Sequence, residues 1–226
     1  MITAAALPAV EEAERLNIPG APEEPLSLQH IDTAAKVTRN DYGRWSRWIL
    51  GLIGTAGLTI AILLSTLSVA TALNDSTTQN TAESIIIVGI GAILGLIPAI
   101  LSGWLLVALH RSGKRLARAA GFWSGYAYRT KQRLPERRDW FTVRFAVFSP
   151  DLFLRIITSA LAGLVSSFAV SIFVRALATG DDSGFAPSAL MIALLYISVG
   201  LGQFGGVQRI QNGLLIRDPW ALFRKK

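Results

Sequence analysis

The run WILGLIGTAGLTIAILLSTLSVATALN, from Trp48 to Asn74, contains no Asp, Glu, Lys or Arg. Three more uncharged runs follow at Ser84–Leu109, Ile156–Val174 and Ser183–Gln208. A helix needs about 20 apolar residues to cross the hydrocarbon of a bilayer, and each run is close to that length. A segment in lipid must satisfy its own backbone hydrogen bonds, which selects helices for long single runs. The sequence therefore predicts an all-α membrane protein with four transmembrane helices, at 48–73, 84–109, 152–178 and 188–207.

Charge orients these spans. The links 74–83 (NDSTTQNTAE) and 179–187 (TGDDSGFAP) hold no Lys or Arg, whereas Arg111 to Arg144 holds ten. Basic loops stay on the cytoplasmic side. The expected architecture is two hairpins, N-in/C-in, with outer loops at 74–83 and 179–187 and a basic cytoplasmic connector at 110–151. Interfacial amphipathic helices are expected on the cytoplasmic side.

Composition agrees. Of 226 residues, 51% are hydrophobic and 16% charged, and the mean hydropathy is +0.44. A soluble domain of this size is rarely so apolar. The net charge of +7 is the excess that cytoplasmic loops require, so no nucleic-acid partner is expected. The chain has no cysteine, which removes disulfides, thiolate metal sites and Cys nucleophiles.

Residues 1–25 read as a flexible acidic tail. They hold five Glu against Arg15 alone, with Pro8, Pro19, Pro22 and Pro25. A short helix over Val10–Leu16 and a disordered stretch both fit this composition. Glu11, Glu12 and Glu14 occupy the place of an apolar h-region, so the start does not read as a signal peptide. In the juxtamembrane segment 26–47, Ile31, Ala34, Ala35 and Val37 could share one face of a short helix ending near Gly43. Arg44, Trp45, Arg47 and Trp48 then form a basic, aromatic collar at the inner end of the first span.

Small residues recur about every fourth position in the spans. Gly54 and Ser65 belong to the first span, and Gly91, Gly95 and Pro98 to the second. Ser159 and Gly163 belong to the third, and Ser198, Gly202 and Gly206 to the fourth. Such spacing lets helix backbones approach closely, either within a bundle or against a partner subunit. Pro98 lacks an N–H and is expected to kink or loosen its helix.

No acid, base or His lies near the centre of a span, where membrane proton relays and haem ligands generally stand. His30 and His110 are isolated, and no cofactor or metal is expected. Gln203 is the most polar deep residue and reads as a contact between helices. Arg155 is expected to reach the inner headgroups. Arg175 is expected at the outer edge of the third span, within reach of Asp181 and Asp182.

In the connector, Arg111, Arg115, Arg118, Arg129 and Arg133 share a narrow stripe at 100° per residue. Leu116, Ala120, Trp123, Ala127 and Leu134 cluster beside it. This predicts an amphipathic helix that continues the second span or lies on the inner surface. Gly113, Gly121 and Gly125 each weaken it by ~1 kcal/mol relative to Ala, and Pro135 should end it. A second interfacial piece is expected over Trp140–Phe148, and a basic, aromatic tail over 208–226. The arginine stripe, with Arg224, Lys225 and Lys226, is the candidate surface for anionic lipid or a partner; ordinary positive-inside charge is the alternative. Trp45, Trp48, Trp123, Trp140 and Trp220 are the candidate interfacial anchors.

There is no Walker A, HExxH or GxSxG pattern, and no catalytic residue is assigned. A lipid-acting enzyme would have to rely on loop acids such as Asp75, Asp181 and Asp182. The leading expectation is a non-catalytic membrane subunit or accessory factor of a larger bacterial inner-membrane complex. Its partners would be anionic headgroups and other membrane subunits. The alternative is a small oligomeric transporter or channel.

Topology is open to direct measurement, because the chain is naturally cysteine-free. Single cysteines at Ser76 and Ser183 should react with an impermeant maleimide added from outside intact cells. Labelling from the cytoplasmic side alone would reverse the orientation.

Overall fold

The computed structural model describes residues 1–20, 26–75, 81–136, 145, 149–180 and 185–218. Among them lie six helices: α1 (Leu7–Leu16), α2 (Leu28–Tyr42), α3 (Trp45–Asp75), α4 (Thr81–Arg129), α5 (Pro150–Thr179) and α6 (Phe185–Leu215). The described residues contain no strand. Four helical runs, which include α3, α4, α5 and α6, are long and apolar enough to cross a membrane. The chain is accordingly a multi-pass membrane protein. The expected interfacial piece at Trp140–Phe148 lies, apart from Phe145, outside the described residues. Residues 76–80 and 181–184 of the two links, and the tail from 219 onward, are likewise outside them.

The chain divides into two compact units. The first comprises Met1–Arg47, Leu109–Thr158 and Gly202–Lys226; the second comprises Trp48–Ala108 and Ser159–Leu201. The first unit has an ordinary hydrophobic core. α1 offers Ala6, Val10 and Ala13, and α2 offers Ile31, Ala34 and Tyr42. The C-terminal part of α4 offers Leu116, Ala120, Trp123 and Ala127; Leu152, Val207, Ile210 and Leu214 complete the core. The α1 and α2 contributions recur at helical spacing, so each helix buries one stripe. Ser27 caps α2 by accepting from the His30 amide at 3.3 Å, as the first turn of a helix requires. Thr38 is fully buried on the core face of α2, and its hydroxyl donates to the Ala34 carbonyl at 2.7 Å.

Of the two readings of the acidic segment, the structure has the helix: α1 covers Leu7–Leu16 and is docked. Its apolar stripe is short and built mostly from alanine, so local composition reveals little of it. It packs against α2 and is tied to α4, where the Trp123 indole donates to the Ala9 carbonyl at 2.8 Å. Trp123, grouped with the interfacial anchors on sequence, is 1% exposed and is the largest fully buried side chain among the described residues. Phe122 and Tyr126 lie 5.2 and 5.6 Å from it, ring centre to ring centre.

α4 runs unbroken for 49 residues through Pro98 and through all three connector glycines. Two of those glycines are sites of close approach to α6. A Cβ on Gly121 would meet the Arg209 carbonyl, and one on Gly125 would meet Ile216 and the Gly213 carbonyl. Reciprocally, a Cβ on Gly213 would collide with the Gly121 backbone. The helix propensity lost at these glycines is offset by backbone-to-backbone packing that larger residues would forbid.

The second unit has few large residues inside. Among its described residues the buried positions are Ala61, Ala162, Ala169, Ala176, Ala189 and Ala193 with Thr55, Thr66, Ser166 and Ser188, and the glycines Gly54, Gly91, Gly95 and Gly200. Its large residues face outward: Phe168 is 69% exposed and Leu101 64%. That inversion of an aqueous protein suits a lipid environment, where association relies on close packing of small residues. Gly91 and Gly95 of α4 lie against Ser68 and Ser65 of α3, while Gly57 and Gly54 of α3 lie against Ser102 and Leu106 of α4. Numbers rise on one helix as they fall on the other. Between α5 and α6, Ser159 donates to the Gly200 carbonyl and Ser166 to the Ala193 carbonyl, at 2.8 and 2.9 Å.

Two glycines of similar sequence context should behave oppositely. Gly213→Ala should destabilise the protein by about 1–3 kcal/mol, the usual cost of overpacking. Gly163→Ala, with nothing within 4 Å of the new methyl, should be neutral or stabilise slightly through helix propensity. Thermal unfolding of both variants in one mild detergent checks the contrast.

Candidate functional site

The first unit gathers its polar side chains where α2 ends. Asp41 and Tyr42 close the helix and are almost fully buried. The Asp41 carboxylate accepts from the Thr3 amide at 3.0 Å and faces Arg44 at 3.5 Å. Arg47, 8% exposed, donates to the Met1 carbonyl and, at 2.7 Å, to Ser112 of α4. The Met1 amino group also donates to Ser112, at 2.9 Å. Arg155, from the first turns of α5, donates to the Tyr42 carbonyl at 2.6 Å and stacks 4.1 Å from the centre of the Tyr42 ring. The Tyr42 phenol rests on the bare backbone of Gly206 in α6.

This environment shifts its own groups. Burial pushes the Tyr42 phenol above its ordinary value, against the pull of Arg155, Arg47 and Arg209. Burial also lowers Arg47, an effect that Asp41 opposes and Arg155 reinforces. A charged group loses hydration when buried, and like charges nearby add to that cost.

A second polar layer ties α1 and α2 to the arginine stripe of α4. Arg115 forms a two-pronged pair with Glu14, at 2.7 and 2.8 Å. Arg133 does the same with Asp32, at 2.9 and 2.6 Å. Arg129 donates to the Phe122 carbonyl and lies 4.6 Å over its ring. His30 meets Glu12 at 2.8 Å. The Arg115 hydrogen bonds hold the Glu14 carboxyl below its ordinary value, and Glu14 in turn raises Arg115. Arg111 and Arg118 are exposed and make no ion pair among the described residues. Arg224, Lys225 and Lys226 lie outside the described residues.

The predicted packing residues divide. Gly54, Ser65, Gly91 and Gly95 meet across α3 and α4; Gly202 lies against the His110 ring, and Gly206 against Tyr42. Ser159 bonds to α6. Gly163 faces open space, Ser198 is exposed and bonds within its own helix, and Pro98 is half-buried inside α4. Gln203 accepts from Thr158 at 2.7 Å, as a contact between helices. Of the predicted anchors, Trp45 is 65% exposed, Trp48 is half-buried, and Trp140 and Trp220 fall outside the described residues.

Sequence reasoning passed over the Arg47–Ser112 and Arg155–Tyr42 contacts and the Gly121–Gly213 crossing. The one local signal was an acid and a tyrosine, Asp41 and Tyr42, immediately before the basic collar. Among the described residues no three His, Asp or Glu side chains are gathered as a metal site. Compared with protein-family models, curated proteins and solved structures, the chain matches none of them.

The core and the surface pairs should carry unequal weight. Trp123→Ala should cost about 3–5 kcal/mol. The Arg115–Glu14 pair is roughly half exposed on both sides, so a double-mutant cycle should return under ~1 kcal/mol. Because the folded Glu14 carboxyl lies below its ordinary value of 4.5, its contribution is complete above that pH. It is lost as pH falls through the lowered value. Proteolysis of the N-terminal segment at pH 3 and pH 7 should differ less in Glu14→Gln than in the wild type.

Proposed function

We propose that this chain is a non-catalytic integral membrane subunit or accessory factor of a larger assembly. In this reading it forms two transmembrane hairpins, with both termini on the cytoplasmic side of a bacterial inner membrane. One observation carries the topology. The three segments that hold every Lys and Arg except Arg175, namely 1–47, 109–158 and 202–226, belong to one compact unit, although consecutive segments are separated by the long stretches 48–108 and 159–201. Segments that fold together share one side of a membrane. Each intervening stretch must then cross it an even number of times, and the apolar runs supply two crossings in each.

The docking role draws on what the molecule leaves unused. Gly51, Gly89, Gly103 and Gly163 have nothing within 4 Å of a would-be Cβ, which suits close approach by a neighbouring helix. Arg111 and Arg118 stay exposed after Arg115 and Arg133 are paired internally. With Arg129 bonded to the Phe122 carbonyl, they are the members of the stripe offered to anionic headgroups or an acidic partner. No nucleic-acid role is proposed, because the basic residues follow the distribution of cytoplasmic loops. The second reading, a small oligomeric transporter or channel, is favoured by Pro98, which removes one backbone donor midway along α4.

Purification in mild detergent from the native host separates the two. Stable, stoichiometric co-purification with other membrane proteins supports the accessory role. A homo-oligomer that moves a solute across liposomes refutes it.

A further inference from the structure

Three helices bring guanidinium groups to one residue. Arg47 at the start of α3, Arg155 at the start of α5 and Arg209 near the end of α6 all act electrostatically on Tyr42. Arg155 is fixed there by its bond to the Tyr42 carbonyl and by its stack on the ring. Arg209 stands one turn beyond Gly206, the residue on which the phenol rests. The guanidinium of Arg209 lies back along α6, and a Cβ on Gly205 would sit 3.2 Å from its Nη1. Gly205 therefore leaves room for a flat arginine against the helix.

The charges in this cluster do not balance. Asp41 is the carboxylate that acts on Arg47, and it is already engaged by the Thr3 amide and Arg44. Arg155 and Arg209 make no ion pair among the described residues. Arg155 commits one Nη to Tyr42 and keeps donors to spare, since a guanidinium has five. Both arginines are half-buried, so they are desolvated in part yet reachable. Gathered cations in a partly dry site repel one another unless an anion joins them. Arginine forks match the oxygens of a phosphate group in pairs.

We propose that Arg155 and Arg209 form a binding site for a phosphate group beside Tyr42, at the end of α2. Two sources share that chemistry: a phospholipid headgroup and a free phosphate. The site is distinct from the exposed stripe of Arg111 and Arg118. The lipid source rests on the proposed topology, which places these helix ends at the inner membrane face.

The test uses the full chain, purified in a mild detergent and delipidated. Thermal unfolding is followed with added short-chain phosphatidylglycerol, with the matching uncharged diacylglycerol, and with inorganic phosphate. Phosphatidylglycerol should raise the unfolding temperature in a saturable way, and diacylglycerol should not. Arg155→Gln and Arg209→Gln should each weaken the apparent affinity at least about tenfold, as loss of a charge-assisted hydrogen bond does. Arg111→Gln and Arg118→Gln should leave it unchanged. A saturable shift with inorganic phosphate alone, lost in the same two variants, assigns the site to free phosphate. The proposal is overturned if neither phosphate compound shifts unfolding, or if Arg155→Gln and Arg209→Gln respond like the wild type. Their unfolding temperatures without additive show whether each variant is folded; Arg209→Gln is the gentler change, because its guanidinium makes no ion pair among the described residues. Cysteine labelling at Ser76 and Ser183 tests the topology independently, so failure of binding and failure of orientation are read separately.

Discussion

Helices in lipid gain no hydrophobic energy by touching one another, and the rest of this structure depends on that constraint. Where the driving force is absent, contact must come from closeness, and closeness needs small side chains. The second unit follows that rule, with alanines, serines and threonines inside and leucines, isoleucines and phenylalanines outside. Apart from Ser159 and Ser166, which bond across to α6, many of its hydroxyl groups stay within their own helix. Thr55, Ser65, Thr66, Ser68 and Ser167 each donate to the carbonyl four residues earlier in their own helix. Satisfied in this way, a hydroxyl adds little polarity and keeps the small volume that packing requires.

The first unit obeys the opposite rule. It buries Trp123, Ile31, Leu116, Leu152 and Ile210 almost completely, as a water-soluble core does. α4 and α6 contribute to both units, and each changes character along its length. On α4, Ile93, Leu94 and Ile97 are exposed, whereas Leu116, Ala117 and Ala120 have essentially no exposed surface. One continuous helix can serve two solvents because helical geometry is indifferent to what surrounds it; only the side chains change.

These two rules decide what was legible in the sequence. The apolar helices were readable because a span is specified locally, by an uncharged run of sufficient length. For α1 the composition admitted a short helix over Val10–Leu16 beside a disordered stretch; its docking was not readable, because the stripe of Ala6, Val10 and Ala13 gains its meaning from Trp123, more than a hundred residues away. The stripe of Arg111 to Arg133 was readable as a stripe. That Arg115 and Arg133 would face Glu14 and Asp32 was not, since periodicity shows which residues share a face and nothing about what covers it. The same limit separates Gly95 from Gly163. Both lie in small-residue patterns, yet Gly95 meets Ser65 and Gly163 meets open space.

Trp123 shows why chemistry alone could not resolve the site. An indole has an apolar body and one donor, which suits a headgroup boundary and an interior with one free carbonyl equally well. The carbonyl of Ala9 makes the interior workable here. Arg47 poses the same question in charged form. Its place in a basic collar before a span predicted solvent or headgroups, but Ser112 and the Met1 carbonyl draw it inside. Burial lowers its proton affinity, and Arg155 stands close enough to lower it further. An arginine kept in such a place, beside others of its kind, imposes an electrostatic demand that one shared carboxylate meets incompletely. The excess positive charge of the chain is therefore not all spread over its surface; part of it is concentrated around Tyr42, where fixed helix ends hold it in position.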